Sequence, residues 1–211
     1  MKSVNIPAIA IKRLSLYARN LALLDQKGVE VVSSVGLADI CGVNSAQIRK
    51  DLGYFGQFGI RGVGYYVKEL VYEIRQILGL EKEWRLALVG VGNLGSALLG
   101  HAQFVNQGYT FVAAFETDPK RIGMQIGDIT VAPLKAMKRL VTEKGIEIGV
   151  IAVAPRWAQQ TADKFVEAGV RGILNFAPVQ LQCPNDLHVE NVDFTRKLDM
   201  LCYRLTLDMR P

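Results

Sequence analysis

The sequence predicts an α/β protein of two domains, residues 1–82 and 83–192, closed by a helix over 193–211. Before residue 82 the pattern is helix, short turn, helix, then a glycine-rich stretch. After it, apolar runs alternate with helical stretches, as in a parallel sheet whose strands are joined by helices. At the head of that second region stands a glycine motif that follows an apolar run and opens a helix.

In the first domain, Pro7 to Lys27 carries Leu14, Tyr17, Leu21 and Leu24 at helical spacing, with Gly28 just past its end. An extended piece, Val29 to Val32, leads to a brief helix capped by Ser34 and carrying Leu37 and Ile40. Cys41-Gly42-Val43 then turns the chain into a third helix started by Asn44. In that third helix Ile48 and Leu52 lie four apart and face the core, which turns Ala46, Gln47, Arg49 and Lys50 outward. Arg and Gln suit base edges in a major groove, and Lys50 suits a phosphate. A solvated helix face would look the same.

Glycines at 53, 56, 59, 62 and 64, interleaved with Tyr54, Phe55, Phe58 and Arg61, predict a hairpin wing. Arg61, flanked by Gly62, can reach into a minor groove. Tyr54, Phe55 and Phe58 also suit a support for the wing. A helix from Val67 to Leu78 ends the domain at Gly79.

Strands are expected at Leu86–Val89, Phe111–Phe115, Ile148–Val153 and Gly172–Leu174, and helices near 94–101, 133–143 and 156–168. Phe194, Leu198, Leu201 and Leu205 give the last segment an amphipathic face.

Gly90-Val91-Gly92-Asn93-Leu94-Gly95 is a G-x-G-x-x-G in the strand-to-helix context of a Rossmann domain. Its first glycine permits the turn, its second the approach of pyrophosphate, and its third close helix–strand packing; the helix N–H groups face the phosphates. Glu116 closes the next strand, where a carboxylate accepts from ribose hydroxyls and repels a 2′-phosphate, favouring NAD over NADP. Asp118 is a second ribose candidate, or the cap of the turn at Pro119. A glycine loop that serves only a tight turn is the alternative.

Composition narrows the function classes. Half of the 211 residues are apolar, enough for a real core. No run of about 18 apolar residues occurs and Met1 to Ala10 lacks a signal-peptide pattern, so a cytoplasmic protein without a membrane partner is expected. Cys41, Cys183 and Cys202 are far apart and His101 and His188 stand alone, so neither a disulfide framework nor a metal site is expected. Net charge is +5, and residues 1–80 hold 10 Lys/Arg against 6 Asp/Glu, a basic excess suited to a phosphate-facing surface. The second domain shows no Ser-His-Asp set, no His-Asp pair and no Tyr-x-x-x-Lys, so a dinucleotide is expected to bind without a catalytic group beside it.

The run Ser45-Ala46-Gln47-Ile48-Arg49-Lys50-Asp51-Leu52, then Tyr54-Phe55-Gly56, then Arg61-Gly62-Val63-Gly64-Tyr65 closely resembles the signature of the Rex family of redox-sensing repressors. The resemblance continues through Gly90 to Gly95, Gly172 to Pro178 and Asn191 to Phe194. It implies a homodimer on palindromic double-stranded operator DNA, released when NADH binds and responsive to NADH against NAD+. It also implies that Asn175, Phe176, Ala177, Pro178 and Phe194 belong to the cofactor cleft. Residues 193–211 would form a domain-swapped helix, and Arg19 would pair with Asp193 as an interdomain latch. Three departures stand out. His101 occupies a place where the family commonly has a tyrosine near the nicotinamide, Glu116 replaces the usual aspartate, and Pro155 comes one place late. An NAD-dependent oxidoreductase with an appended domain is the rival reading, and a CoA-binding domain a third.

Overall fold

The computed structural model describes residues 6–101 and 107–208. The chain divides into two compact units, Met1–Lys82 and Glu83–Pro211.

The first unit is built on α1 (Ala8–Gln26), which buries Leu14, Tyr17 and Leu21 completely. Against it pack α2 (Ser34–Cys41), α3 (Ser45–Gly53) and α4 (Val67–Ile77), which contribute Leu37, Ile48, Leu52, Leu70 and Ile74 to one core. The cap of α2 is Ser33 rather than Ser34: the Ser33 hydroxyl accepts from the Gly36 N–H at 3.0 Å, one residue earlier than expected. Ser33 has extended backbone, and that geometry, not residue type, decides between adjacent serines. Ile40 is exposed, and Ala38 and Cys41 share the buried face with Leu37. Asn44 caps α3 through the Gln47 N–H at 2.8 Å.

The wing is a small antiparallel pair, β1 (Val31–Val32) with β2 (Tyr65–Tyr66), extended by a bridge between Ile60 and Gly64. Its strands flank the glycine-rich segment instead of lying within it. Gly64, at φ +121°, crosses Val32 so closely that a Cβ would stand 2.6 Å from the Val32 carbonyl oxygen, so only glycine lets the wing close onto β1.

The second unit is a seven-stranded sheet in the order β5-β6-β4-β3-β7-β8-β9. Its strands are β3 (Trp84–Val89), β4 (Tyr109–Glu116), β5 (Gln125–Ile126), β6 (Ile129–Pro133), β7 (Ile148–Ile151), β8 (Gly172–Asn175) and β9 (His188–Asn191). All neighbours are parallel except the β5–β6 hairpin at one edge. The helices among the described residues are α5 (Asn93–Leu99), α6 (Met137–Glu143, preceded by a single 3-10 turn), α7 (Pro155–Ala168) and α8 (Phe194–Asp208). The strands β5, β6 and β9 were not expected from the sequence; β5 and β9 are short edge strands, β6 lies one place in from the edge, and the burial of none of them alternates cleanly.

Alternate residues of the central strands face opposite sides, as a two-residue repeat requires. Ala87, Val89, Phe115, Ile151 and Ile173 join Phe165, Ala158 and Ala162 of α7 and Met137 and Val141 of α6. Leu86, Leu88, Ala114, Val131 and Val150 form the core of the other side. Being covered on both faces is what makes these strands read as continuous apolar runs. The sheet order changes direction at β3, which has β4 on one side and β7 on the other. In open α/β sheets the crevice beyond the strand ends at such a point is where ligands bind.

Candidate dinucleotide site and nucleic-acid interface

Each glycine of the loop after β3 answers to a different constraint. Gly90 has φ +97°, and a Cβ there would lie 2.5 Å from the carbonyl oxygen of Ala152, beyond the end of β7. A Cβ at Gly95 would fall 2.0 Å from the Gly90 carbonyl oxygen, so α5 can start this close to the loop only with glycine. Gly92 is the opposite case: nothing among the described residues lies within 4 Å of its Cβ position, and its backbone is ordinary for any residue. The first and third glycines are required by the fold, whereas the second opens a space in front of α5. Asn93 and Leu94 are exposed there and Val91 is buried.

Glu116 ends β4 next to that space. Its Oε2 accepts from the Val91 N–H at 3.0 Å, and its Oε1 from the N–H groups of Thr117 at 2.6 Å and Asp118 at 3.2 Å. Burial pushes this carboxyl up, but the three backbone donors outweigh it and hold its pKa below the ordinary value. The carboxylate therefore braces the glycine loop through the Val91 N–H. Asp118 caps its own turn, accepting from the Lys120 N–H at 2.9 Å. Arg121, which sequence reasoning missed, donates to the Val91 carbonyl and stands 3.9 Å from Asp118. Only the fold brings that cation thirty positions back to the loop.

Beyond β8, Asn175 is fully buried. Its Nδ2 faces the carbonyls of Ala177 at 3.0 Å and Val179 at 2.9 Å and the Asn191 Oδ1 at 2.9 Å, and its Oδ1 accepts from the Ala177 N–H at 3.0 Å. This side chain shapes the loop from inside. Ala177 is buried with it, while Phe176 is half-buried and Pro178 exposed. The Phe176 ring lies 6.3 Å, centre to centre, from that of Phe194, which is 61% exposed. Asp193 starts α8: its Oδ1 accepts from the Thr195 hydroxyl at 2.6 Å and from the N–H groups of Thr195 at 3.0 Å and Arg196 at 3.4 Å. The Thr195 hydroxyl, then these N–H groups, hold the carboxyl below its usual range. No residue of α8 is buried, and Phe194, Leu198, Leu201, Tyr203 and Leu205 are all exposed. His101 is exposed just after α5, its N–H donating to the Leu98 carbonyl at 3.3 Å.

In the first unit, Ala46, Arg49 and Lys50 are exposed on α3 and Ser45 is half-buried. Arg49 donates to the Ser34 hydroxyl at 2.9 Å, which ties it to the start of α2. Gln47 departs from the expected outward position. It is half-buried, and its Nε2 donates to Asp51 at 2.7 Å. Tyr54 is half-buried at the end of α3, and Arg61 and Gly62 are exposed at the tip of the wing, where Gly62 takes φ +83°. Arg49, Arg61, Ser33, Ser34 and Phe58 line a groove of about 620 Å³ between α3 and the wing.

Asp51 itself was not singled out from the sequence. It is completely buried and accepts from Arg13 Nε at 2.5 Å and Nη2 at 2.7 Å and from the Tyr17 hydroxyl at 2.8 Å. Burial alone would raise its pKa, but the Arg13, Tyr17 and Gln47 donors bring it below the ordinary value. The contacts span 34 and 38 positions, a distance at which local patterns carry no signal.

Fold and sites together define a protein with an N-terminal DNA-binding domain and a C-terminal dinucleotide-binding Rossmann domain. Two family models match, one described as "Putative DNA-binding protein N-terminus" over residues 5–53 and one as "CoA binding domain" over 81–179. The chain is 50% identical over 207 residues to the "Redox-sensing transcriptional repressor Rex" of Syntrophobacter fumaroxidans, covering 98% of this chain and 99% of that one. It is 48% identical to the protein of that name from Desulforamulus reducens, with the same coverage. The solved structure described as "Crystal structure of RSP in complex with beta-NAD+ and operator DNA" superposes with a TM-score of 0.92 at 35% identity, covering 98% of this chain and 95% of that one. A second, "RSP in complex with beta-NADH", gives 0.89 at 33% identity, covering 98% and 97%. The chain belongs to the Rex family of redox-sensing transcriptional repressors.

Proposed function

We propose that this chain is a redox-sensing repressor that binds palindromic operator DNA as a homodimer and lets go of it when NADH binds. The observation that carries the reading is the cradle at Gly90–Gly95, open at Gly92 and braced by Glu116, in a chain whose other unit is a winged helix.

In this reading the pyrophosphate lies over Gly92 at the start of α5, where Asn93, Leu94 and Gly95 present backbone N–H groups. Glu116, and behind it Asp118, take the adenosine ribose, and the negative charge disfavours a 2′-phosphate. Phe176, Ala177, Pro178 and Phe194 flank the nicotinamide, with Asn175 fixing their loop. The apolar rings at Phe176 and Phe194 accept the uncharged dihydronicotinamide better than the cationic ring of NAD+, because desolvating an unpaired charge is costly. The dinucleotide is read and not consumed, and no metal takes part.

On the DNA side, Arg49 and Gln47 read bases, Ser45, Ala46 and Lys50 line the groove and its phosphates, Tyr54 supports the wing, and Arg61 with Gly62 enters the minor groove. A fully exposed α8 calls for a cover, and exchange of this helix between two subunits supplies one. Arg19 and Asp193 then act as a latch between the domains. NADH selects a closed dimer whose two winged helices no longer meet successive major grooves, so NADH and DNA oppose each other by the same factor. Such a repressor works in the cytoplasm; no helix among the described residues is long and apolar enough to cross a membrane.

The dihydronicotinamide absorbance of an NADH–protein mixture tests the non-enzymatic part. It is expected to persist in the presence of small carbonyl compounds. Sustained oxidation of NADH with any of them would establish the oxidoreductase reading instead.

A further inference from the structure

Asp51 follows Gln47 by one helical turn, on the same side of α3. Its Oδ2 takes Arg13 Nε and the Tyr17 hydroxyl, and its Oδ1 takes Arg13 Nη2 and Gln47 Nε2. The carboxylate is fully buried and locked from α1, so it is a fixed acceptor at the base of the recognition surface. An ionised carboxylate offers no proton. The Gln47 amide must therefore approach it through nitrogen, and the amide cannot turn over.

We infer that Asp51 is a positioning residue for DNA specificity: by holding the Gln47 amide through its nitrogen, it makes Gln47 favour adenine over guanine. The inference rests on the DNA-binding reading above. A free glutamine amide has two N–H donors and one acceptor. It can match adenine, with one donor to N7 and its oxygen accepting from N6, or turn its nitrogen side alone toward guanine, whose N7 and O6 are both acceptors. With one N–H committed to Asp51, a single N–H and Oε1 remain. That is a donor–acceptor pair, which fits adenine and leaves one acceptor of guanine unmatched.

The test is fluorescence anisotropy at fixed salt and without NADH, using the full chain and a duplex that the wild-type protein selects from a randomised pool. Each base pair of a half-site is replaced in turn. The wild type is expected to show one A·T position per half-site where G·C weakens binding about tenfold. Gln47→Ala should level that position alone. Asp51→Asn should level it as well, keep the wild-type spread at other positions and keep NADH affinity unchanged, and the double variant should lose nothing further there. Equal loss at every position in Asp51→Asn, or unchanged preferences in Gln47→Ala, would overturn the inference while leaving the repressor reading intact. No duplex bound by the wild type overturns that reading first and the inference with it. Should Asp51→Asn fail to fold, hydrogen exchange of the Gln47 side-chain amide in the ¹⁵N-labelled wild type decides. One protected proton is expected, and two exchanging freely overturn the inference.

Discussion

Replacing the three loop glycines one at a time by alanine separates what the fold needs from what the ligand needs. At Gly95 the new methyl group would sit 2.0 Å from the Gly90 carbonyl oxygen, and at Gly90 it would sit 2.5 Å from the Ala152 carbonyl oxygen at φ +97°. Both neighbours are backbone, so to reach an ordinary 3.4 Å contact the loop must give way by 1.4 Å at Gly95 (3.4 − 2.0) and 0.9 Å at Gly90 (3.4 − 2.5). Overpacking of this kind costs about 1–3 kcal/mol, and the left-handed conformation at Gly90 adds about 1–2 kcal/mol. At Gly92 nothing among the described residues lies within 4 Å of the Cβ position. There a lowered unfolded-state entropy, about 0.4–1 kcal/mol, offsets the poorer cap that alanine makes. Thermal unfolding should therefore drop by several degrees for Gly95→Ala and more for Gly90→Ala, at about 2–4 °C per kcal/mol for a chain of this size, and stay near wild type for Gly92→Ala. NADH titration should show the reverse selectivity. Gly92→Ala, stable as it is, should bind at least tenfold more weakly, because a methyl group there keeps the pyrophosphate from charge-assisted bonds worth about 1.5–3 kcal/mol each. A Gly92→Ala protein that binds NADH as the wild type does would refute the placement of the pyrophosphate.

Other perturbations have equally definite outcomes. Arg49→Ala should cost about 1–3 kcal/mol in specific operator binding, read by anisotropy; unchanged affinity and specificity would remove Arg49 from the readers. Arg13→Met should destabilise the N-terminal unit by about 3 kcal/mol in denaturant unfolding, since it leaves the buried Asp51 carboxylate without its cation. Because the Glu116 pKa is depressed in the folded chain, its stabilisation is complete above the ordinary value of 4.5 and is lost as pH falls through the lower folded value. Acid unfolding of Glu116→Gln should accordingly be less steep across that window. If exchange of α8 holds two subunits together as proposed, charges placed on it, as in Leu198→Asp with Leu201→Asp, should turn a dimer into a monomer in sedimentation; an unchanged sedimentation rate would remove α8 from the interface.

The elements that periodicity made legible are those with a continuous buried face. Leu14, Tyr17 and Leu21 announced α1, and the apolar runs through Leu88, Phe115 and Ile151 announced the central strands, because burial on a repeat of 3.6 or on both sides leaves its mark in sequence. The glycine motif was legible because two of its members answer to backbone constraints, Gly95 to crowding by the Gly90 carbonyl and Gly90 to its φ of +97° and to the Ala152 carbonyl. Short edge strands such as Gln125–Ile126 and His188–Asn191 left no such mark, being partly exposed and stabilised by neighbours distant in the chain. The buried Arg13–Tyr17–Asp51 network was hidden for a different reason. Each residue looks like an ordinary helix position, and only the packing of α1 on α3 turns them into one site. The half-buried position of Gln47 is hidden in the same way, because it follows from the burial of its partner Asp51. Asn175 was placed near the cleft by family likeness, but its work inside the loop is a matter of four hydrogen bonds that no motif announces.

The central claim is that one chain couples dinucleotide redox state to DNA release. Its most direct test is fluorescence anisotropy of a labelled palindromic operator with the purified protein, titrated separately with NADH and with NAD+ at fixed salt, since phosphate contacts make affinity salt-dependent. Release by NADH at far lower concentration than by NAD+ is the predicted result, and operator binding indifferent to both would contradict the account.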